Sequence, residues 1–248
     1  MVELTAHDAM ANRSALFSCD GISLDLGGRE ILRDIKLHVD IGEVLGIIGP
    51  NGAGKTSLFE VLSGRMSPKS GTVRFKDRDV TSLPLYARAR LGIGRTYQTP
   101  VVPDELTVGE TFKAARQAYR PYCTKFDAEY GAELVGLHIE DDEPAARLDT
   151  LDRRKLLLAC LLMRRPTMLL MDEPAAGLIN SEVDEIDFLL RMLSKEMNIS
   201  IAIVEHRIEL LGTIADRVMV MDAGEVIAKG TMKDILADPK VHAAYFEN

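Results

Sequence analysis

Residues 49–57 of the 248-residue chain read Gly49-Pro50-Asn51-Gly52-Ala53-Gly54-Lys55-Thr56-Ser57. The first eight fit the pattern G-x-x-x-x-G-K-[ST] without a mismatch. The glycines let backbone N–H groups turn toward an anion, and a following helix would add the positive end of its dipole. Lys55 would reach the outer phosphates of a nucleotide, and Thr56 would offer a hydroxyl to Mg²⁺. The segment, called the phosphate loop below, therefore predicts a nucleoside triphosphate site.

The residues on either side supply the strand and the helix that this pattern needs. Residues 44–48 form a short apolar run between Gly42 and Gly49, which is typical of a buried parallel strand. Residues 56–62 can begin a helix. A glycine loop that stands at a strand end by chance is the alternative, and the two flanks together argue against it.

Composition limits the classes of protein to which the chain can belong. With 46% apolar and 27% charged residues, it has the balance of a soluble globular protein. Its net charge of −8 argues against a nucleic-acid partner held by general electrostatics. Because Cys19, Cys123 and Cys160 are far apart, we expect buried thiols in a reducing compartment and no disulfide framework.

The sequence predicts neither a signal peptide nor a membrane span. Residues 1–14 contain acidic residues and lack the apolar core of a signal peptide, so we interpret them as a tail. The longest apolar window, 156–163, is far shorter than the roughly 18 residues of a membrane-spanning helix. The chain is therefore expected to be soluble by itself, with any membrane role exerted through a partner.

The length of 248 residues allows one large domain or two modest ones, and hydrophobic periodicity predicts an α/β fold. Residues 16–39 alternate with period two, which predicts antiparallel strands joined by a turn at Gly27-Gly28. A strand at 71–75 would complete an N-terminal antiparallel β subdomain, and a short helix is predicted at 84–90. Later apolar runs alternate with amphipathic helices and predict a mostly parallel sheet with helices on both faces, at 168–171, 199–204 and 218–221.

A helical insert interrupts this strand pattern at about residues 100–165. Within it, residues 108–119 and 126–137 predict two helices separated by Arg120-Pro121, because proline cannot continue the first. After the insert, residues 181–196 form the clearest helical pattern of the chain. Ser181 is predicted as the N-cap of this helix, with acidic residues in its first turn.

Two adjacent carboxylates, Asp172 and Glu173, end the apolar run at 168–171. In a parallel sheet, that end lies beside the phosphate loop, where ligands bind. Asp172 is then placed to hold Mg²⁺ through its water shell, and Glu173 to orient or deprotonate the water that attacks the γ-phosphate. A solvated loop start is the alternative, and the phosphate loop argues against it.

Gln98 and His206 are weaker candidates for the same site. His206 emerges at the end of the predicted strand 199–204, although a lone histidine is more often structural than catalytic. Gln98 follows residues 93–97 and could contact Mg²⁺ or the attacking water. Their order along the chain favours both, since the phosphate loop, Gln98, Asp172-Glu173 and His206 follow one another around a helical insert.

In this order, the motifs resemble those of the ATP-binding subunits of ABC transporters, over about residues 16–246. Four segments carry the resemblance: Ile48-Gly49-Pro50-Asn51-Gly52-Ala53-Gly54-Lys55-Thr56, Gly94-Arg95-Thr96-Tyr97-Gln98-Thr99-Pro100, Met171-Asp172-Glu173-Pro174-Ala175-Ala176-Gly177-Leu178 and Val204-Glu205-His206. The subgroup that serves branched-chain amino acid and related uptake systems is the most similar, and it shares the closing Asp238-Pro239-Lys240-Val241-His242-Ala243-Ala244-Tyr245.

The resemblance implies roles, ligands and partners. It makes Glu173 the catalytic base, His206 a γ-phosphate contact, and Gln98 part of the loop that senses the γ-phosphate and couples to the membrane subunit. It implies ATP and Mg²⁺, with Thr56, Gln98 and Asp172 at the metal. The implied partners are membrane-spanning permease subunits at the cytoplasmic face of the inner membrane and, indirectly, a substrate-binding protein.

One segment departs strongly from the family. Family members hold ATP in a dimer, between one subunit's phosphate loop and the other's signature segment, usually Leu-Ser-Gly-Gly-Gln. The family spacing to Asp172 places the signature at Leu148-Asp149-Thr150-Leu151-Asp152, where only the leucine remains.

A carboxylate about 4 Å from a phosphate costs on the order of 4 kcal/mol per unit charge at an effective dielectric of about 20. Leu151 is also expected to block the close approach that glycine allows. Misalignment of a tolerant segment is the alternative.

Two smaller departures accompany it. Leu26 stands where the family usually has an aromatic ring against the adenine, which predicts weaker base stacking. Ile179 stands where the family often has a polar residue that reaches across the dimer. Together with the signature, they suggest one half of a heterodimer with unequal sites, in which a second ATPase subunit supplies a normal signature.

Two other functions remain open at this point. A mainly regulatory nucleotide-binding subunit would fit the degenerate signature, although the intact Glu173 disfavours it. A soluble ABC ATPase of DNA repair or translation would usually carry two cassettes or long coiled-coil insertions, and neither is present in the sequence. The transported substrate is not encoded here: branched-chain amino acids, urea, amides and aromatic acids are all compatible.

Overall fold

A computed structural model describes residues 15–243 of the chain. The tail predicted at 1–14 and the last part of the closing stretch, from Ala244 onward, lie outside the described residues. Within residues 15–243, no helix combines the length and the apolar character that crossing a bilayer requires.

The strands divide between two sheets. They are β1 Phe17–Leu26, β2 Arg29–Val39, β3 Val44–Ile48, β4 Ser70–Phe75, β5 Arg78–Asp79, β6 Ile93–Arg95, β7 Met168–Asp172, β8 Ser200–Val204, β9 Arg217–Asp222 and β10 Glu225–Gly230. The helices are α1 Lys55–Ser63, α2 Leu85–Leu91, α3 Val108–Gln117, α4 Lys125–Leu134, α5 Thr150–Leu162, α6 Asn180–Arg191, α7 Ile208–Ile214, α8 Met232–Ala237 and the single turn α9 Pro239–Val241. A 3₁₀ turn at Ala145–Arg147 precedes α5, and a π-type turn at Met192–Glu196 extends α6.

The larger sheet has the strand order β10-β9-β3-β8-β7-β6. All of its neighbouring pairs are parallel except β9 with β10. This confirms the prediction of a mostly parallel sheet. Because the strands run in the same direction, the carboxyl ends of β3, β6, β7 and β8 lie at one edge. The phosphate loop, Gln98, Glu173 and His206 follow those four strands, so the topology alone brings them to the same side.

The N-terminal sheet is antiparallel, in the order β2-β1-β4-β5. Leu26 pairs with Arg29 across the predicted turn, and both turn glycines have positive φ, 58° at Gly27 and 81° at Gly28. A β-branched residue would be strained at these positive φ values, whereas glycine adopts them freely. The predicted hairpin and its turn are therefore confirmed.

Alternating side chains of the large sheet enter two separate cores. Leu45 and Ile47 of β3 point into the cluster shared with the antiparallel sheet and α1. Val44 and Ile48 point into the opposite cluster, with residues of α5 and α6. Both faces of β3 are buried, which explains why its sequence is continuously apolar rather than alternating.

The segment between β6 and β7 contains α3, α4 and α5. Its first two helices begin with reciprocal capping boxes, Thr107 with Glu110 and Thr124 with Asp127. Helix α3 ends two residues before the predicted 119, where Arg164 donates hydrogen bonds to the carbonyls of Ala115 and Arg116. Helix α4 spans Lys125–Leu134 rather than the predicted 126–137.

The predicted N-cap Ser181 is wrong. Helix α6 already begins at Asn180, and Ile179 occupies the cap position. The carbonyl of Ile179 accepts from the Val183 N–H at 3.0 Å, while the Glu182 carboxylate accepts the N–H of Ile179 at 2.8 Å. Glu182 thus satisfies a free donor at the helix start, so a serine cap two residues later is not needed.

Candidate functional site

The phosphate loop leads from β3 into α1 in the conformation that its glycines predict. A Cβ atom at Gly49 would lie 2.1 Å from the carbonyl oxygen of Met221, so this position excludes every larger residue. Gly54 has φ 97° and forms the N-cap of α1 without a side-chain hydrogen bond. The first N–H groups of α1 are therefore not capped by a side chain, as an anion site at a helix start requires.

Lys55 folds back over this loop. Its Nζ donates to the carbonyl oxygens of Gly49 at 2.6 Å and Pro50 at 2.9 Å. Burial lowers the pKa of Lys55, and the charges of Glu173 and Asp172 oppose that shift. The ammonium group is thus held at the loop by two neutral acceptors, which phosphate oxygens would replace as stronger partners.

Gln98, Glu173 and His206 converge on one another beside the loop. Gln98 Nε2 donates to Glu173 Oε2 at 2.7 Å, and His206 Nε2 lies 3.2 Å from Glu173 Oε1. They line a cavity of about 640 Å³ together with Asn51, Gly52, Ala53, Gly54, Lys55, Thr56 and Ser57. The three side chains that were predicted from three separate strand ends therefore occupy one site.

The backbone of Glu173 has an unusual conformation. Its φ is 47°, in the left-handed region that few non-glycine residues adopt, and its N–H donates to the Val204 carbonyl at 2.8 Å. Backbone strain of this kind persists where surrounding contacts fix it, and it often occurs at functional sites. Only 17% of the Glu173 side chain is exposed, so its carboxylate faces the cavity from a confined position.

The predicted metal residues Thr56, Gln98 and Asp172 line a second cavity, of about 540 Å³. Asp172 Oδ2 accepts from Arg95 Nη2 at 3.1 Å, whereas its buried Oδ1 has no hydrogen-bond partner among the described residues. Burial raises the pKa of Asp172, and the charge of Arg95 opposes that shift. One carboxylate oxygen beside a threonine hydroxyl suits Mg²⁺, which binds few protein ligands and keeps its waters and phosphates. The residues fit this cation.

The sequence model of the ABC transporter family matches residues 32–176, from β2 to the segment after Glu173. The chain belongs to this family. It is 35% identical to a probable ABC transporter ATP-binding protein of Azorhizobium caulinodans, over 91% of this chain and 80% of that protein. It is 32% identical to the high-affinity branched-chain amino acid transport ATP-binding protein LivG of Salmonella typhimurium, over 93% of this chain and 97% of LivG.

Solved structures agree with this membership. The ADP conformation of MJ1267, an ATP-binding cassette of an ABC transporter, superposes with a TM-score of 0.86 at 28% identity, covering 95% of this chain and 100% of that one. As an ABC transporter ATP-binding subunit, the chain binds ATP with Mg²⁺ and is an ATPase. Subunits of this family work with membrane permease subunits.

In this ABC subunit, residues 148–152, which the family spacing predicts to be the signature segment, lie at the start of α5. Asp149 is the N-cap, and its Oδ1 accepts from the Asp152 N–H at 2.8 Å. Asp149 and Thr150 are exposed, whereas Leu148 and Leu151 are buried in the core. The obstruction expected from Leu151 is therefore wrong, because its side chain packs inward. Burial and the charge of Asp149 raise the pKa of Asp152.

The other departures lie at the surface. Leu26, at the end of β1, is 41% exposed, while the nearby wall of the nucleotide cavity comes from Arg29, Ile31 and Arg33. Ile179 is 66% exposed at the cap of α6. A single exposed apolar side chain of this kind is common at protein surfaces.

Sequence reasoning missed the charged side chains that hold the loop after Glu173. The buried Glu205 carboxylate accepts N–H groups of Ala175 at 2.7 Å and His206 at 3.1 Å. Arg207 donates to the Leu178 carbonyl at 2.7 Å. Both residues directly flank His206, so their position beside a predicted site residue was the only signal available. Arg154 was missed as well, and no local pattern points to it.

Proposed function

We propose that this chain is one of two different ATPase subunits of an ABC importer for branched-chain amino acids or related substrates. The observation that carries the proposal is the pairing of a full set of hydrolytic side chains with a carboxylate at the predicted signature position. Glu173, Gln98 and His206 stand together beside the phosphate loop, while Asp149 caps the helix that would face a partner's nucleotide.

In this proposal, Glu173 orients and deprotonates the attacking water. Its two carboxylate oxygens are each engaged, one by Gln98 and one by His206, so the side chain has a single orientation. His206 would contact the γ-phosphate. Gln98 would give up its hydrogen bond to Glu173 and contact the Mg²⁺ ion or the attacking water when ATP is bound. Lys55 and the N–H groups of residues 49–57 would hold the phosphates. Bound Mg²⁺ would neutralise phosphate charge, held by Thr56, Gln98 and Asp172.

The asymmetry follows from electrostatics at the start of α5. The Asp152 N–H, one of the donors that a helix N-terminus offers to an anion, is already bonded to the Asp149 carboxylate. A second negative group placed there meets repulsion rather than a hydrogen bond. A partner's nucleotide would therefore bind weakly at this segment, whereas a partner with a normal signature would complete the site formed by Glu173.

The likeness to LivG supports an amino acid importer, with urea, amides and aromatic acids as related possibilities. The proposed partners are two permease subunits, the second ATPase subunit and, through the permeases, an external substrate-binding protein. We place the subunit peripherally at the cytoplasmic face of the inner membrane. Residues 15–248 would form one nucleotide-binding domain, and permeases would contact it between Gln98 and the helical insert at about 100–165.

The deciding experiment compares ATP hydrolysis by three purified samples: this chain alone, the proposed cognate ATPase subunit, and their mixture. We expect the mixture to hydrolyse ATP much faster than the sum of the two separate samples. In the mixture, Glu173→Gln in this chain should stop most turnover, because it removes the base of the complete site. Vigorous hydrolysis by the isolated chain would contradict the proposal.

A regulatory role is the second candidate, and the exposed Asp149 at the signature position favours it. Here ATP would hold the two subunits together, and its hydrolysis would be incidental. Transport in membrane vesicles separates the candidates, since a regulatory subunit that carries Glu173→Gln should still support uptake at the rate of the unchanged subunit.

A further inference from the structure

Arg154 joins two loops of the hydrolytic site through one guanidinium group. Its Nη1 donates to the carbonyl oxygen of Glu173 at 3.1 Å. Its Nη2 donates to the carbonyl oxygens of Gln98 at 3.2 Å and Ala176 at 2.7 Å. The Gln98 carbonyl lies in the loop after β6, 56 residues from Arg154 in the chain. The Glu173 and Ala176 carbonyls lie in the loop after β7, 19 and 22 residues from Arg154. One side chain of α5 therefore fixes the relative positions of separate loops.

The chemistry of this contact requires an arginine. A guanidinium presents several N–H donors in a rigid plane, whereas the ammonium of lysine is a compact charge on a flexible stem. Burial lowers the pKa of Arg154, while the charges of Glu205 and Glu173 oppose the shift. No carboxylate lies within salt-bridge distance of Arg154 in the part of the chain described. All hydrogen bonds of this half-buried cation go to neutral backbone carbonyls, while its buried Nε has no partner among the described residues. This indicates a role in holding backbone rather than in pairing charge.

The contacts act directly on the residues that carry the chemistry. The carbonyl of Glu173 is bound by Arg154 and its N–H by Val204, so both sides of this residue are held at φ 47°. The Gln98 carbonyl is bound by the same guanidinium, and the Gln98 and Glu173 side chains meet at 2.7 Å. Both ends of that side-chain hydrogen bond therefore depend on one anchor.

We infer that Arg154 is a positioning residue for ATP hydrolysis, which holds the backbones of Gln98 and Glu173 so that the Glu173 carboxylate stays over the nucleotide cavity. The inference rests on the role proposed for Glu173. Arg154 lies on α5, and the predicted signature segment lies at the start of the same helix. Arg154 therefore also connects that segment to Glu173, the proposed base of this chain. Arg154 does not touch the reacting atoms, and its effect passes through the carbonyls it binds.

Arg153 supplies a matched control. It is the neighbouring arginine of α5, but within residues 15–243 its side-chain hydrogen bonds go only to the helical insert, to Asp104 at 3.4 Å and the carbonyls of Ala146 at 3.1 Å and Leu148 at 3.3 Å. Arg153→Met and Arg154→Met remove the same group from the same helix. Arg154→Lys keeps the charge without the planar fork.

The first test is amide hydrogen exchange of the isolated full chain, with no nucleotide, followed by mass spectrometry. The readout is the protection of the Glu173, Ala175 and Ala176 amides, which bind Val204, Glu205 and Glu173. Arg154→Met should reduce their protection about tenfold, because the loop opens locally when its anchor is lost. Arg153→Met should leave it unchanged. Equal protection in all variants would overturn the inference.

The second test measures ATP hydrolysis by the chain assembled with its proposed cognate ATPase and permease subunits. Arg154→Met should lower kcat about 10- to 100-fold, with KM for ATP changed less than about threefold, since a misplaced base affects the reaction and not the bound phosphates. Arg154→Lys should recover only part of the rate. Full recovery by lysine, or an equal loss in Arg153→Met, would overturn the inference. Failure of the unchanged assembly to bind ATP would instead refute the proposed function and leave the exchange result to decide on Arg154.

Discussion

Arg88 is fully buried and forms no salt bridge within residues 15–243. It donates to four backbone carbonyls, at 2.7 to 2.9 Å, those of Val61, Leu62, Thr81 and Leu83. Two of these lie in the last turn of α1, where helical carbonyls lack intrahelical partners, and the Val61 carbonyl also accepts the Gly64 N–H at 3.1 Å. Arg88→Met would leave buried acceptors unsatisfied, so we expect it to lower the free energy of unfolding by about 2–4 kcal/mol.

Urea unfolding followed by circular dichroism checks this value. Arg90→Met is the control, because Arg90 lies exposed on the same helix, and its change should stay within about 0.5 kcal/mol. Similar losses in the two variants would show that the carbonyl contacts of Arg88 contribute little.

The cysteines give a prediction with a clear dependence on pH. Burial raises the pKa of Cys19 and of Cys160 from the usual 9.0 to about 12. A raised pKa keeps each thiol protonated, so at pH 8 only about one molecule in ten thousand carries the reactive thiolate. We expect iodoacetamide at pH 8 to modify both residues far more slowly in the folded chain than in guanidinium. Modification at equal rates, measured by peptide mass spectrometry, would contradict this.

The same shifts affect stability in a defined direction. The stability gained by keeping these thiols neutral is fully present below pH 9, which is the pKa of the thiols in the unfolded chain. It is lost as the pH rises toward 12, their pKa in the folded chain. Replacing Cys160 by alanine should therefore flatten the decline of the unfolding free energy above pH 9.

At the residue level, sequence predicted the groups whose chemistry follows a local pattern. The phosphate loop, Asp172 and Glu173 could be placed from motif and strand context alone. Gln98 and His206 needed the family resemblance, since one glutamine or histidine in a loop carries little information. Arg88 and Arg154 could not be found, because a guanidinium that binds backbone carbonyls contacts residues far along the chain and leaves no spacing to detect.

Among the elements, α5 carries a prediction about its cap. Asp149 accepts the Asp152 N–H at 2.8 Å, and a lost cap typically costs about 1 kcal/mol. Asp149→Ala should therefore lower the free energy of unfolding by about 1 kcal/mol, whereas Asp149→Ser should retain nearly all of it, because a serine hydroxyl caps as well. Chemical denaturation of both variants tests this. Equal stability of the alanine variant and the unchanged chain would show that the cap is not significant.

Elements were predicted best where burial makes the sequence continuously apolar. Strands β7, β8 and β9 lie close to the predicted runs, because both faces of each are covered. The N-cap of α6 was misplaced by two residues, since Glu182 accepts the Ile179 N–H and the cap needs no serine. The order of strands in the sheet could not be predicted, because pairing is decided by packing between segments far apart in the chain.

In the whole molecule, the site exists only because four strand ends meet at one edge of the sheet. Three of these ends contribute the phosphate loop, Gln98 and His206, while the end of β7 contributes both Asp172 and Glu173, which are neighbours in sequence. The signature segment lies on α5, outside that edge. The chain thus separates the groups that would hydrolyse its own ATP from the segment that would face a partner's nucleotide.

This separation allows the signature charges to be removed without touching the hydrolytic groups. In the Glu173→Gln background, which keeps ATP bound, the charges at Asp149 and Asp152 should prevent two copies of this chain from closing on ATP. Asp149→Ser with Asp152→Asn removes both charges and keeps a helix cap. We expect this variant to form ATP-dependent homodimers at least about tenfold more tightly, because a unit charge about 4 Å from phosphate is worth about 1 kcal/mol in water and about 4 kcal/mol near a protein surface.

Sedimentation with and without ATP and Mg²⁺ measures the dimer. The control is Asp141→Ser with Asp142→Asn, which removes two exposed charges from the same insert. If the control pair dimerises equally well, net charge alone governs association, and the signature segment does not oppose a second nucleotide.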